Sequence, residues 1–432
     1  MNRRNIAQNH QHTVDRMRKK MIQNKGGQKI CLILLLLNQN QTVIPLLDSL
    51  KSIIDTISII ETELKNNTNN LIKSITDWCT NNNIIYKIST DQFKNIQYNK
   101  TNSIKLSKNK FPETDYFLVS ELDFVWNISN FNKENLTQDK YDVIHTNDNY
   151  RSTRFLSAKI NWICHLQTYE YWVDFNDKSN INGVLLDSLS IREELDIYKY
   201  DNKKSLLLEN FNESNLSKFD KSRIKFYLSY VYRNLNMFEE AIQTSLKRIE
   251  DGGCDEEVYY SIYNIGMSYE EWGWKIKQCI EYINQEIKSE DELKYIEKWN
   301  LNNLPINDLL TENAKLFNQA MLHYKRAYEF RPSRSESLYN TVKLCRKLEI
   351  DQLYDLGYQT IYIGKKIKLP NDYLFINKDC YDYLFDYELI MISHLLENKN
   401  PEGKEAIIKL LNRNNLPNQI TIDIKSKIHF YF

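Results

Sequence analysis

KICLILLLL, residues 29–37, is one lysine followed by an unbroken apolar run from Ile30 to Leu37. A strand with one wet face alternates apolar and polar residues, so a continuous run is the pattern of a strand covered on both faces. The chain after it repeats the arrangement. A helix is expected around 43–54, a second strand at SIIET (58–62), and a helix from Asn66 to Cys79 with Leu71, Ile72, Ile75 and Trp78 on its apolar side. NIIYKI (83–88) reads as a third strand, 95–107 as a polar helix, and DYFLVSEL (115–122) as a fourth strand. Strand and helix alternating at this spacing predict an α/β fold, a mainly parallel Rossmann-like sheet flanked by helices. Ligands on such sheets sit beyond the carboxyl ends of the strands. The ends that matter are Asn38–Asn40, Glu61–Asn67 and Glu121–Phe124.

Outward from this core the character changes. Residues 1–28 are basic and polar, read as an N-terminal arm, and contain no apolar h-region of a secretory signal. Residues 126–200 are rich in Tyr and Trp and show no clear period. From about 201 the pattern turns helical. KSRIKFYLSYVYRNLNMFEEAIQTSLKRIEDGG (221–253) reads as two helices joined at Asn234–Asn236, and DEEVYYSIYNIGMSYEEWG (255–273) starts the pattern again. AKLFNQAMLHYKRAYEFRPSRSESLYNTVKLCRKL (314–348) gives a third version. Small residues among large aromatics, in helix–turn–helix units of about 34 residues, are tetratricopeptide-like. The organisation expected is an arm at 1–28, an α/β domain at 29–200 and an all-α helical domain at 201–432, with 221–432 almost entirely helical.

Composition excludes several classes of function. The 432 residues carry 57 Lys+Arg against 57 Asp+Glu, so charge gives no reason to expect nucleic acid or an anionic membrane as partner. The longest apolar run, Ile30 to Leu37, is far short of the roughly 20 residues of a membrane span. The 7 cysteines form no CxxC pair, which argues against a zinc site and a disulfide framework and points to a reducing, cytoplasmic location without secretion. After Gly27 the next glycine is Gly183, so neither a dinucleotide fingerprint nor a P-loop exists in the sheet region.

KICLILLLLNQN, ISIIETELKNNT, FKNIQYNKTNSI and TDYFLVSELDF follow one another in the layout of a family 2, GT-A type glycosyltransferase domain, which the chain resembles. RFLSAKINWICHLQTYEYW (154–172) is similar to the acceptor-side segment of the tetratricopeptide-linked branch of that family, found in giant viruses and some bacteria; in a viral source the location would be the host cytoplasm. SRIKFYLSYVYRNLNMFEEAI, YEFRPSRSESLY and LFINKDCYDYLFDYEL resemble later landmarks of the same branch. The resemblance implies transfer of a sugar from a nucleotide-diphosphate sugar, such as a UDP-sugar, to a glycan or protein acceptor. It also implies a bound Mn²⁺ or Mg²⁺, or no cofactor at all if the motifs have decayed too far.

The family's charged positions are largely altered here. Lys-Asn-Glu at the first strand end is Leu37-Asn38-Gln39, and Asp-Thr-Gly-Ser-Thr-Asp at the second is Glu61-Thr62-Glu63-Leu64-Lys65-Asn66. The Asn-Arg element is Asn99-Lys100, the Asp-x-Asp metal motif is Glu121-Leu122-Asp123, and the acceptor-side His is Tyr169, followed by a retained Glu170-Tyr171-Trp172.

Carried over residue by residue, the resemblance makes Asp123 and Glu121 metal ligands, Glu61 and Lys100 donor contacts, and Glu170 the base that takes the acceptor proton. A divalent ion suits a leaving diphosphate because it prefers oxygen ligands, and a carboxylate beside the acceptor suits proton transfer. On an extended chain Glu121 and Asp123 would share one side. Each residue also has a plain reading: Glu121 and Asp123 as solvated rim, Glu61 and Glu63 as surface carboxylates, Lys100 as a solvated helix lysine, Glu170 as a surface carboxylate. Cys164 and His165 are assigned to structure. Tyr169, Tyr171 and Trp172 are candidates to stack on a sugar ring. Three functions follow: a transferase with weak or lost activity, an inactive relative that binds protein through its helical repeats, and a helical adaptor whose first domain resembles a transferase by strand order alone. Nucleotide-sugar binding is expected to be weak and metal-dependent.

Overall fold

The computed structural model describes residues 27–37, 43–62, 68–146, 150–176, 183–193, 197–213, 216–285, 289–299 and 304–432. Most of the arm at 1–28, the strand end at 38–40 and the stretch 63–67 therefore lie outside the described residues. The chain divides into two compact units, Met1–Leu195 and Asp196–Phe432.

The first unit is built on β1 (Ile30–Leu36), β2 (Thr56–Thr62), β3 (Ile85–Asp91) and β4 (Tyr116–Val119). All four are parallel, in the order β3-β2-β1-β4. Helices α1 (Ile44–Leu50), α2 (Asn69–Asn81) and α3 (Ile96–Lys110) connect them. The unbroken apolar run works as its composition requires. Ile30, Leu32, Leu34 and Leu36 enter one core with Leu46, Leu50, Ile75 and Trp78, while Cys31 and Ile33 enter another with Ile104, Phe117 and Trp172. Successive side chains of a strand point to opposite faces, so burial on both sides demands apolar residues at every position.

The chain from Phe124 to Glu193, mostly the stretch without a clear period, supplies the remaining strands: β5 (Phe124–Ile128), β6 (Lys140–His145), β7 (Tyr150–Ser157), β8 (Trp162–His165), β9 (Tyr171–Asp174) and β10 (Val184–Glu193). The full order is β3-β2-β1-β4-β7-β6-β10-β5, with β7 antiparallel to both β4 and β6, and β8–β9 a separate hairpin. The sheet is thus mixed and mainly parallel in its first half, a Rossmann-like arrangement. The fourth strand stops at Val119, short of the expected Leu122, because residues 122 and 123 turn the chain into β5.

The second unit is all-α: α4 (Ile197–Phe211), α5 (Lys218–Asn234), α6 (Phe238–Asp251), α7 (Asp255–Ile283), α8 (Glu290–Lys298), α9 (Ile306–Phe330), α10 (Glu336–Lys347), α11 (Asp351–Gly364), α12 (Lys378–Asp382), α13 (Leu384–Ser393), α14 (Asn400–Leu411) and α15 (Asn418–Lys427). The α5–α6 turn closes with Asn236 at φ +57°, a left-handed position that Asn tolerates. Helices α7 and α9 pack antiparallel through glycines. A Cβ on Gly266 would stand 2.6 Å from the Tyr324 ring, and one on Gly273 2.7 Å from the Phe317 ring. Gly266→Ala gains about 1 kcal/mol of helix propensity but incurs about 1–3 kcal/mol of overpacking against a ring held at close range. We expect a net loss on the order of 1 kcal/mol, read as a lower urea midpoint at unchanged slope.

Candidate functional site

The carboxyl edge of the parallel strands is where the sequence-derived candidates meet. Asn95 caps α3, its side chain accepting from the Tyr98 N–H at 2.7 Å. One turn on, Asn99 stitches the helix to the end of β3, donating to Asp91 at 2.7 Å and to the Gln92 carbonyl at 2.9 Å. This fixes the next residue, Lys100, at the sheet edge. Its ammonium lies 2.6 Å from Glu121 in the β4–β5 turn and 3.0 Å from Glu170 just before β9. Glu170 in turn accepts from Arg154 of β7 at 3.0 Å. The Arg154 Nε donates to Ser152 Oγ at 2.8 Å, and Ser152 pairs with His145 of β6 at 2.7 Å. The Arg154 guanidinium lies over the Phe124 ring, 5.0 Å from its centroid. One polar chain, Glu121–Lys100–Glu170–Arg154–Ser152–His145, thus crosses this edge.

Most of that chain is buried. Lys100 is 5% exposed, Glu170 8% and Arg154 4%, so the solvated readings of Lys100 and Glu170 are corrected: both side chains are withdrawn from water and held against opposite charges. Burial opposes the Lys100 charge, yet Glu121 and Glu170 outweigh it and raise its pKa above the ordinary 10.5. Burial likewise opposes the Glu170 charge, and Lys100 with Arg154 outweighs it, holding the carboxyl well below its ordinary 4.5. Burial pushes the Cys164 thiol up and keeps it protonated; its backbone N–H is tied to Thr101 at 3.0 Å. His165 stacks on Tyr171, ring centroids 5.0 Å apart.

The remaining candidates sit differently. Glu121 and Asp123 do not lie on an extended strand; both belong to the turn after β4, so the same-side argument from strand geometry does not hold. Glu61 stands at the same sheet edge at the end of β2, accepts from Thr68 Oγ1 at 2.5 Å and is not part of the ion-pair chain. Glu63–Asn66 lie outside the described residues. Tyr169, Tyr171 and Trp172 are all buried, Trp172 completely, so a sugar-stacking platform on these three is also corrected. Trp172 packs into the sheet core, and Tyr169, at φ +52°, turns its ring edge-on to Tyr150.

The fit to a divalent ion is poor. Among the described residues no group of three or more His, Cys, Asp or Glu could hold a metal. Of the two carboxylates in the Glu121–Asp123 turn, Glu121 already neutralises Lys100.

Arg154, Ser152 and His145 are the participants that the sequence reading missed. The available signal was RSTR (151–154), which puts Ser152 and Arg154 on the same face of a strand at i, i+2. Among the described residues no helix is long and apolar enough to cross a membrane. The Rossmann-like sheet is an architecture common to nucleotide-binding and enzyme domains in general. Neither a protein-family model nor a curated protein matches this chain, which on its own evidence is a mixed β-sheet domain followed by an all-α helical domain.

Proposed function

We propose that the first domain is glycosyltransferase-like, with sugar transfer from a nucleotide-diphosphate sugar to a glycan or protein acceptor weak or lost, and that the helical domain is a protein-binding scaffold. One observation carries the reading. The groups that a donor site would direct at its ligand are paired with each other, Lys100 to Glu121 and Glu170, and Arg154 to Glu170. A general base works best with a pKa near the operating pH; a carboxylate pinned by two cations and shifted downward is a weak proton acceptor. A diphosphate would have to displace Glu121 from Lys100, and the two carboxylates it met there would repel it in a region poor in water. This favours the scaffold reading over the active transferase.

Calorimetry with UDP and UDP-sugars, with and without Mn²⁺, tests the proposal. The expected dissociation constant is weaker than about 1 mM, or about −4 kcal/mol, under both conditions. Asp123→Ala is expected to leave it unchanged, as are replacements of Cys164 or His165. Micromolar UDP-sugar affinity, with turnover that disappears on Asp123→Ala, restores the active enzyme.

A further inference from the structure

We propose that the helical domain carries a groove for an extended peptide with a carboxylate three residues ahead of an aromatic ring, and that the chain's own segment Asp372–Ile376 fills it. The proposal deepens the scaffold reading above by naming the chemistry of the partner.

The segment lies between α11 and α12 and has no regular structure. Side chains from two helical regions bond to its main chain. Glu256, in the first turn of α7, accepts the N–H groups of Tyr373 at 2.6 Å and Leu374 at 2.8 Å. Arg334, between α9 and α10, donates to the carbonyls of Leu374 and Phe375, both at 3.1 Å. Those four contacts would hold any sequence in this path.

Two further contacts select. The Asp372 carboxylate is gripped by Arg331 through two bonds of 2.6 Å and approached by Arg334 at 3.4 Å. The Phe375 ring enters an aromatic pocket made by Phe226 and Tyr230 of α5 and Tyr260 of α7, with centroid separations of 5.9, 5.2 and 4.4 Å. Main-chain bonds for grip and side-chain pockets for selection are the division of labour in recognition of extended peptides. Phe375 also sits at φ +49°, a left-handed conformation that a bulky residue seldom adopts and that clusters at ligand clamps and switches. A segment fixed by side chains and strained at its anchor is suited to exchange with a peptide in trans. The forked Arg331–Asp372 pair fixes the sign of the partner's charge, and the pocket its ring.

The test uses the full chain and a capped, dye-labelled peptide of the sequence Asn-Asp-Tyr-Leu-Phe-Ile-Asn, read by fluorescence anisotropy. Phe375→Ala empties the aromatic pocket and weakens the intramolecular competitor, which keeps its main-chain contacts and the Asp372 pair. It is expected to bind the peptide at least about tenfold more tightly than the unaltered chain, because the competent groove is then more populated. A control peptide with Asn for Asp and Ala for Phe is expected to bind at least about tenfold more weakly. No saturable binding to a folded Phe375→Ala chain, or equal affinity for the control, overturns the proposal. So does dimerisation by mutual exchange of the segment in place of peptide binding. Hydrogen exchange on the unaltered chain covers the case in which the variant does not fold. The Tyr373 and Leu374 amides are expected to exchange at least about tenfold faster than those of Tyr259 and Tyr260 in α7; equal protection marks a permanent part of the core and overturns it. The nucleotide-sugar titration fails or succeeds independently of these outcomes, so loss of the pseudoenzyme reading leaves the groove standing, and loss of the groove leaves that reading standing.

Discussion

Replacing Lys100 by Met is expected to destabilise the sheet domain by about 3–5 kcal/mol, the usual consequence of removing one partner from a buried ion pair. Glu170 then keeps Arg154 at 3.0 Å but loses its second cation, and Glu121 loses its 2.6 Å partner. Met fills much the same space as the lysine stem, so the effect reports charge and not a cavity. Adding Glu170→Gln to Lys100→Met is expected to restore part of the loss, because the two sites share one network. Hydrogen exchange of the β1 amides at increasing urea reads the stability of this domain alone. The pH dependence follows from the shifts. The folded-state pKa of Glu170 is depressed below 4.5, so its contribution is fully present above about pH 4.5 and is lost as pH falls through the folded value. The pKa of Lys100 is raised above 10.5, so its contribution is fully present below that pH and lost only as pH rises through the higher folded value. The gap between unaltered and Lys100→Met protein is therefore expected to be widest between these limits and to narrow in acid. A gap of constant size down to pH 2 would assign the effect to packing.

Arg334→Ala is expected to have a comparable effect on the helical domain. The Arg334 side chain is fully buried and donates to Glu336 at 2.9 Å, to Asp372, and to the carbonyls of Leu374 and Phe375, with the Tyr259 ring 4.6 Å from its guanidinium carbon. Burial disfavours its charge, but Glu336 outweighs that and raises its pKa above the ordinary value. Without it, Glu336 retains only neutral donors among its bonds described here, Tyr381 OH at 2.9 Å and the Asn377 N–H at 3.1 Å. A buried carboxylate stripped of its cation costs about 3–5 kcal/mol, or roughly a 10 °C fall in melting temperature at about 2–4 °C per kcal/mol for a unit of this size. Arg334→Lys keeps the charge but not the fork, and cannot span two carboxylates and two carbonyls at once, so it is expected to recover less than half. Circular dichroism at 222 nm, which is dominated by the helical domain, follows the melt. Full recovery by Lys would show that charge alone matters at this position.

Much of the architecture could be read locally, and the site could not. The run Ile30–Leu37 announced a doubly buried strand because a side chain on either face of β1 meets apolar neighbours. The hairpins of the second unit were visible because residues three and four apart share a helix face and a turn such as Asn234–Asn236 interrupts it. These patterns depend on neighbours within a few positions, so one chain suffices to see them. The stretch 126–200 resisted because nearly all of β6 and β7 is buried, which erases the period-two alternation; only the long-range pairing of β7 between β4 and β6 identifies them.

Lys100, Glu121 and Glu170 were singled out as separate functional groups, each with a ligand in view. Sequence could not show that they would meet, because they come from α3, from the turn after β4 and from the approach to β9. An ion pair forms at about 3 Å, where a shift of one residue in register or one turn of helix abolishes it, whereas an apolar residue stays buried wherever its face points. For that reason the sequence by itself determined the kinds of layers in this protein, and tertiary structure alone decided that its conspicuous charges neutralise one another and that Asp372–Ile376 lies against helices more than a hundred residues earlier in the chain.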